Sequence, residues 1–243
     1  MQETLGITRF LNHLFGGAAA WAMHLVGVPA DPGTAINDTF ALEVLVACVL
    51  IAFFLIVRLT LSVERPNPVQ QLAEMIHEFT GNQGEQVIGH GHERFQAFVT
   101  CILLFVLLNN FGGLFPHIVT PTSQPVVPLG IATLTFLYYN FHGLREHGPL
   151  GYLKQFAGPV WWLTPLMFPV EIVSHLARVM SLTIRLYANM LASDLLTLIC
   201  FSMFPIVLPT IFLGLHFAVA LVQAYVFMLL SMIYLSLAVS HEH

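Results

Sequence analysis

Six residues between positions 171 and 189 set the chemical question. Glu171, His175, Arg178, Leu182, Arg185 and Asn189 recur at i, i+4, i+7, i+11, i+14 and i+18. At about 100° per residue that spacing is one face of a helix, and all but Leu182 are polar. The residues around them are apolar, and a charge at the centre of a membrane helix costs about 2.5–3.5 kcal/mol on insertion scales. Such a stripe must line a wet cavity or meet another protein. Arg185 is the extreme member. No carboxylate lies three or four residues from it, the spacings at which helix side chains meet. Asp194 is nine residues on, which turns it to the opposite side. Glu171 shares the face but lies about 21 Å along the axis. The apolar stretch that follows offers only His216 and Gln223, seven apart and on one face, with no negative charge. The expectation is a guanidinium buried in the membrane without a partner in its own chain. Its chemistry is electrostatic: a fixed positive charge offered to a carboxylate of another chain, or to water.

Structural readings of the same residues stand beside this one. Arg178 can snorkel or pair locally, Glu171 and His175 can form a structural hydrogen-bonded pair, and His216 and Gln223 can join two helices. Other chemistries fail on the sequence itself. The chain has 12 histidines, but HGH at 90–92 and HEH at 241–243 lie in a loop and at a terminus, and no HxxxH boxes fall in apolar stretches. No metal is expected. Neither a Gly-rich phosphate loop nor a nucleophile arrangement is present, and no cofactor is expected. Cys48, Cys101 and Cys200 each lie in an apolar run, where small apolar packing is the expected role.

The elements that must position these residues follow from composition. The 243 residues include 8 Lys or Arg and 13 Asp or Glu, so 9% are charged where soluble chains carry about 25%, and 57% are apolar. So much hydrocarbon has no place to hide in a soluble fold. A net charge of −5 without a Lys/Arg cluster argues against a nucleic-acid partner. The expected fold is all-α, a polytopic membrane protein of five to six helices, at about 20 residues per span.

Residues 1–39 read as a separate external segment, an amphipathic helix on the membrane surface. The membrane domain is then 40–243. Its first span is 40–61, with Arg58 and Arg65 marking the cytoplasmic side, so the amino terminus is expected outside. A short surface helix follows Pro66 and Pro68, ending in a loop at Gly81, Gly84, Gly89 and Gly91. The second span is 95–115, and the uncharged loop 116–128 lies outside. A short third span covers 129–141, with Arg145 and Lys154 cytoplasmic beyond it. Helices over 169–197 and 210–239 would be about 43 and 45 Å long, against a hydrocarbon core of about 30 Å. They are expected to be steeply tilted and to form a hairpin at Pro205–Pro209.

Several motifs carry a family resemblance. SLTIRLYANM at 181–190 resembles the SLxxRLxxNM signature of subunit a of F-type ATP synthases. NFGGLFP at 110–116, GYLK at 151–154 and QAYVF at 223–227 running on to Tyr234-Leu235 are similar to other segments of that family. The similarity covers about residues 40–240. Tyr187, Ala188 and Asp194 depart from the usual Phe, Gly and Glu or His.

The resemblance implies a proton-translocating stator subunit that is no enzyme by itself. Arg185 would be the essential arginine facing the carboxylates of a c-subunit ring, against which the last two helices lie. Asn189, Asp194, His216 and Gln223 would belong to the half-channel open to the outside. Glu171 and Ser174, with His175 beside them, would belong to the cytoplasmic one. The c-ring, b subunits and other ATP synthase subunits would be partners, with lipid around the chain and protons as cargo. A bacterial plasma membrane is the expected location, with the carboxyl terminus cytoplasmic. The rival classes are a stand-alone secondary transporter or ion channel, disfavoured by the absence of an internal repeat, and an intramembrane enzyme.

Overall fold

The computed structural model describes residues 6–25, 31, 35–62, 66–114, 120–157, 164–203 and 207–239. Arg65, residues 115–119, Pro205 and His241–His243, all used in the sequence reading, lie outside the described residues. The described chain is helical and contains no strand.

Helix α1 (Gly6–Leu25) is amphipathic. It docks through its polar side onto the start of α2 (Asp38–Leu59). The Asn12 side chain makes a two-point contact there: its amide donates to the Ile36 carbonyl at 3.1 Å, and the Ile36 N–H donates back at 2.9 Å. The Thr8 hydroxyl donates to the Asp38 carboxylate. Ile7, Phe10, Leu14 and Trp21 are left exposed, and their spacing puts them on the other side of the helix. In α2, Asp38 in the first turn and Arg58 in the last suit the helix dipole. Between them the helix is apolar apart from Thr39 and Glu43 in its first two turns, and only Ala41 is buried. That is the profile of a helix facing lipid on most sides.

Pro68 opens α3 (Pro68–Val87) in the first turn, where its missing N–H costs nothing. The sequence suggested a loop from Gly81 onward, but the helix continues to Val87. Gly81 and Gly84 are contact positions instead. A Cβ at Gly81 would sit 2.9 Å from Gln96 Nε2, and one at Gly84 would sit 3.2 Å from His92 Cδ2. Their absence lets α3 lie against α4 (Glu93–Phe111). There the Gln96 amide donates to the His77 carbonyl at 2.6 Å and the Thr80 and Thr100 hydroxyls meet at 2.9 Å. The turn itself uses Gly89 and Gly91, whose φ values of 79° and 88° favour glycine.

A 3-10 turn at Gly112–Leu114 extends α4, and a second one, Pro121–Ser123, precedes α5 (Val126–Ala157). The expected short third span is thus part of a 32-residue helix, interrupted at Gly148 (φ 68°, ψ 164°). The apolar pattern ends long before the helix does, which is why periodicity gave only its first part. Arg94 pairs with Glu146 at 3.2 Å, tying the entry of α4 to the same end of the molecule as Arg145. Helices α6 (Thr164–Met203) and α7 (Val207–Val239) have 40 and 33 residues. They are about 60 and 50 Å long, more than the sequence suggested, and both exceed a bilayer core of about 30 Å.

Among the described residues four helical stretches are long and apolar enough to cross a membrane: Asp38–Leu59, Glu93–Leu114, Pro165–Ser202 and Thr210–Val239. The chain is a polytopic all-α membrane protein. Its core joins Phe95, Val99 and Val106 of α4 to Tyr139 of α5, Leu182, Leu186 and Met190 of α6, and Phe227, Met228 and Leu235 of α7. Within lipid, helices gain by close packing and not by leaving water. Ala132, Ala220 and Ala224, all essentially inaccessible, let the backbones approach. Cys200 is buried as expected, whereas Cys48 and Cys101 are exposed and pack no interior.

Candidate functional site

The polar stripe on α6 does not behave as one surface. His175 and Leu182 are buried, Glu171, Ser174 and Arg178 are half-buried, and Arg185 and Asn189 are exposed. The stripe spans about 80° of the helix circumference, and the neighbouring helices cover only one edge. Arg185 was expected to be buried, and this is corrected: its side chain lies on the open flank of α6. The second half of that expectation agrees with the geometry. No described residue forms a hydrogen bond or ion pair with Arg185. One turn further, the exposed Asn189 donates from Nδ2 to Oε1 of buried Gln223 at 2.9 Å, linking α6 to α7 beside the arginine.

Toward the carboxyl end of α6, a network gathers around His216, whose ring is 1% exposed. Its Nε2 lies 3.1 Å from the Asn110 carbonyl oxygen. A carbonyl only accepts, so Nε2 carries the hydrogen. In the neutral ring Nδ1 is then the free base, and the Ser193 hydroxyl 2.7 Å away donates to it. Asp194 Oδ1 is 3.7 Å from the same nitrogen and accepts from the Thr120 hydroxyl at 2.8 Å. Asp194 Oδ2 is enclosed without a hydrogen-bond partner among the described residues. The Asn110 side chain fixes the surrounding backbone, accepting from the Thr122 hydroxyl at 2.7 Å and donating to the Ala220 carbonyl at 3.4 Å.

A second network lies toward the amino end of α6. His175 Nδ1 meets the Tyr139 hydroxyl of α5 at 2.9 Å, and Nε2 lies 3.4 Å from Glu171 Oε1. That carboxylate oxygen is also 3.8 Å from Arg178, whose guanidinium sits 5.5 Å from the centre of the Tyr234 ring. Arg178 thus pairs locally, as one of the structural readings held. The two networks lie on either side of Arg185 along one helix. Glu171 is about 21 Å away in one direction and Asp194 about 13 Å in the other. Both offer imidazole, carboxylate and hydroxyl groups that bind and release protons.

The family described as ATP synthase A chain matches residues 40–236. The chain belongs to the ATP synthase A chain family. It is 46% identical to ATP synthase subunit a of Koribacter versatilis over 244 residues, the whole of both chains. Identity is 40% to that of Solibacter usitatus, over 96% of this chain and all of the relative. With the subunit of Bdellovibrio bacteriovorus it is 41%, over 70% of this chain and 74% of the relative. Membership makes the chain a membrane subunit of ATP synthase, with other ATP synthase subunits as its partners.

Within this family member, the sequence-predicted residues fall into three groups. Asp194 meets His216, Asn189 meets Gln223, and Glu171 meets His175. Among the described residues no hydrogen bond joins the Asn189–Gln223 pair to Asp194 or His216, so the four are not one chain of contacts. Ser174 is half-buried one residue before His175. Sequence reasoning missed Ser193, Thr120, Thr122 and Tyr139. Ser193 and Tyr139 are hydroxyls in long helices and Thr120 and Thr122 lie at the turn before α5, where single hydroxyls carry no periodic signal and only their partners reveal them. Asn110 and Gly113 were visible as part of a motif, but without a reason for it. The reason is space: a Cβ on Gly113 would sit 2.0 Å from Thr120 Oγ1 and 2.8 Å from His216 Cε1. Among the described residues no three His, Cys, Asp or Glu side chains converge in a way that could hold a metal.

Proposed function

We propose that this chain is the proton-translocating stator subunit of an F-type ATP synthase. Arg185 faces the carboxylates of a c-subunit ring, and b subunits are among the other partners. The observation that carries the reading is Arg185 itself, an exposed guanidinium without a partner among the described residues, flanked along α6 by two networks of imidazole, carboxylate and hydroxyl groups. Asn189, Asp194, His216 and Gln223 serve the half-channel open to the outside. Glu171, Ser174 and His175 serve the cytoplasmic one.

The mechanism follows from charge. A ring carboxylate is protonated while it faces lipid, because a bare charge there is costly. Within about 4–6 Å of Arg185 its pKa falls by about 1–3 units, so it gives up the proton on the exit side and takes another on the entry side. The offset between the networks obliges the ring to turn between these events, and the fixed charge of Arg185 blocks a direct leak. Each proton crossing yields about 2.3 kcal/mol per 100 mV.

The reading includes an orientation in a bacterial plasma membrane, with the amino terminus outside and the carboxyl terminus cytoplasmic. Residues 1–39 form an external segment, and 40–243 the membrane domain. The exposed Ile7, Phe10, Leu14 and Trp21 support the first of these, since such a face suits the membrane surface. Arg185→Ala tests the whole. It should abolish ATP-driven proton pumping and ATP synthesis in membrane vesicles. Arg185→Lys should restore little, because an ammonium is a compact charge that loses its proton more readily than guanidinium. Near-normal coupled synthesis by Arg185→Ala would refute the proposal.

A further inference from the structure

We infer that Ser193 is the immediate proton partner of His216, a hydroxyl relay through which that imidazole is charged and discharged. The inference rests on the reading of Asp194 and His216 as part of the outer half-channel and adds a residue to it.

The two ring nitrogens of His216 differ in what they can exchange. Nε2 is committed to the Asn110 carbonyl at 3.1 Å, an acceptor with no proton to give. Proton exchange therefore runs through Nδ1. Asp194 is the nearest carboxylate to that atom, but at 3.7 Å its Oδ1 lies beyond hydrogen-bond reach, and it is already held by Thr120. The Ser193 hydroxyl, at 2.7 Å, is within reach. His216 is 1% exposed and Ser193 9%, so of the two it is the hydroxyl that reaches the surface.

A hydroxyl both donates and accepts, which a relay requires. In the charging step the Ser193 O–H bond breaks as an Nδ1–H bond forms on His216. In the same motion the oxygen takes a proton from a hydronium ion in the half-channel, which leaves as water. The hydroxyl is regenerated, the imidazole gains one positive charge, and nothing is oxidised or reduced. The carboxylate of Asp194, too far to transfer the proton directly, is near enough to stabilise the imidazolium. Discharge reverses the sequence. Ser193 thus moves the proton and Asp194 holds the charge, a division of labour that the sequence alone does not reveal.

Three substitutions of Ser193 in the assembled ATP synthase separate hydroxyl from shape. Ser193→Val and Ser193→Thr add nearly the same volume, and only Thr keeps the hydroxyl; Ser193→Ala removes the hydroxyl without adding bulk. Proton pumping by inverted membrane vesicles is compared at equal subunit content, in water and in deuterium oxide. Ser193→Ala and Ser193→Val are expected to slow pumping about tenfold or more. They should also enlarge the solvent isotope effect as proton transfer becomes limiting, while Ser193→Thr stays close to the parent on both counts. Pumping by Ser193→Ala at the parent rate with an unchanged isotope effect overturns the inference. So does equal loss in Ser193→Thr and Ser193→Val, which would make the position one of packing. His216→Ala is the separate arm: if it pumps normally, the half-channel reading falls, whereas slow His216→Ala with normal Ser193→Ala removes only the relay.

Discussion

Gly113→Ala adds one methyl group at the most crowded point of the His216 network. The conflict is one of space, since Gly113 is not among the glycines with positive φ. A Cβ there would lie 2.0 Å from Thr120 Oγ1, so Thr120 must retreat by about 1.4 Å to restore an ordinary 3.4 Å contact. The same Cβ would press on His216 at 2.8 and 2.9 Å. Thr120 donates to Asp194 Oδ1 at 2.8 Å, and a retreat of that size takes it out of hydrogen-bond reach. A hydrogen bond to a charged group is worth about 1.5–3 kcal/mol. At about 1.4 kcal/mol per factor of ten, the ordered network should lose more than tenfold in population. The assay is ATP-driven proton pumping in inverted vesicles at equal subunit content, with Gly130→Ala as control, because a Cβ at Gly130 meets nothing within 4 Å. Pumping should fall about tenfold or more in Gly113→Ala and stay unchanged in Gly130→Ala. Parent-level pumping by Gly113→Ala would show that the crowding around Thr120 and His216 has no bearing on transport.

Other outcomes follow from contacts elsewhere in the chain. Asn12→Ala removes both hydrogen bonds to Ile36 and should cost about 1–2 kcal/mol of docking; faster proteolysis within α1 is the expected readout, and unchanged protection would count against that tether. Tyr139→Phe deletes the hydroxyl beside His175 and should lower the thermal stability of the purified complex by about 0.5–1.5 kcal/mol equivalent. An unaltered melting curve would leave that contact without energetic weight. Impermeant labels at residue 154 and on the exposed face of α1 should react from opposite sides of the membrane, and reaction from one side would reverse the proposed orientation.

The helices that face lipid were the easiest to read. An uninterrupted apolar run from Val44 to Val57, with charges only near the helix ends, has one physical solution in a bilayer, and 40–61 became Asp38–Leu59. Gly81 and Gly84 misled for a definite reason. Glycine lowers helix propensity by about 1 kcal/mol, but where two helices must touch, the missing side chain is worth more than the lost propensity. The third span was truncated because Tyr138, Asn140 and His142 break the apolar pattern, although the helix runs on to Ala157 with a break at Gly148. For the candidate site, charged residues in apolar helices were conspicuous, so Glu171, Arg185, Asp194 and His216 could be selected unaided. Their exposure could not. Helical spacing orders residues around an axis without saying which arc the neighbours cover, and Arg185 lies beyond that arc.

The bond between His216 and Asn110 has a consequence for genetics. It is made by a backbone carbonyl, and every amino acid at position 110 supplies one. A saturation screen there would score the side chain's bonds to Thr122 and Ala220 and assign the outcome to them. The contact that selects the hydrogen-bearing nitrogen of His216 would pass through such a screen unscored. Replacing that peptide link by an ester would weaken the carbonyl as an acceptor while keeping the residue's identity, and so would expose a determinant that no codon change reaches.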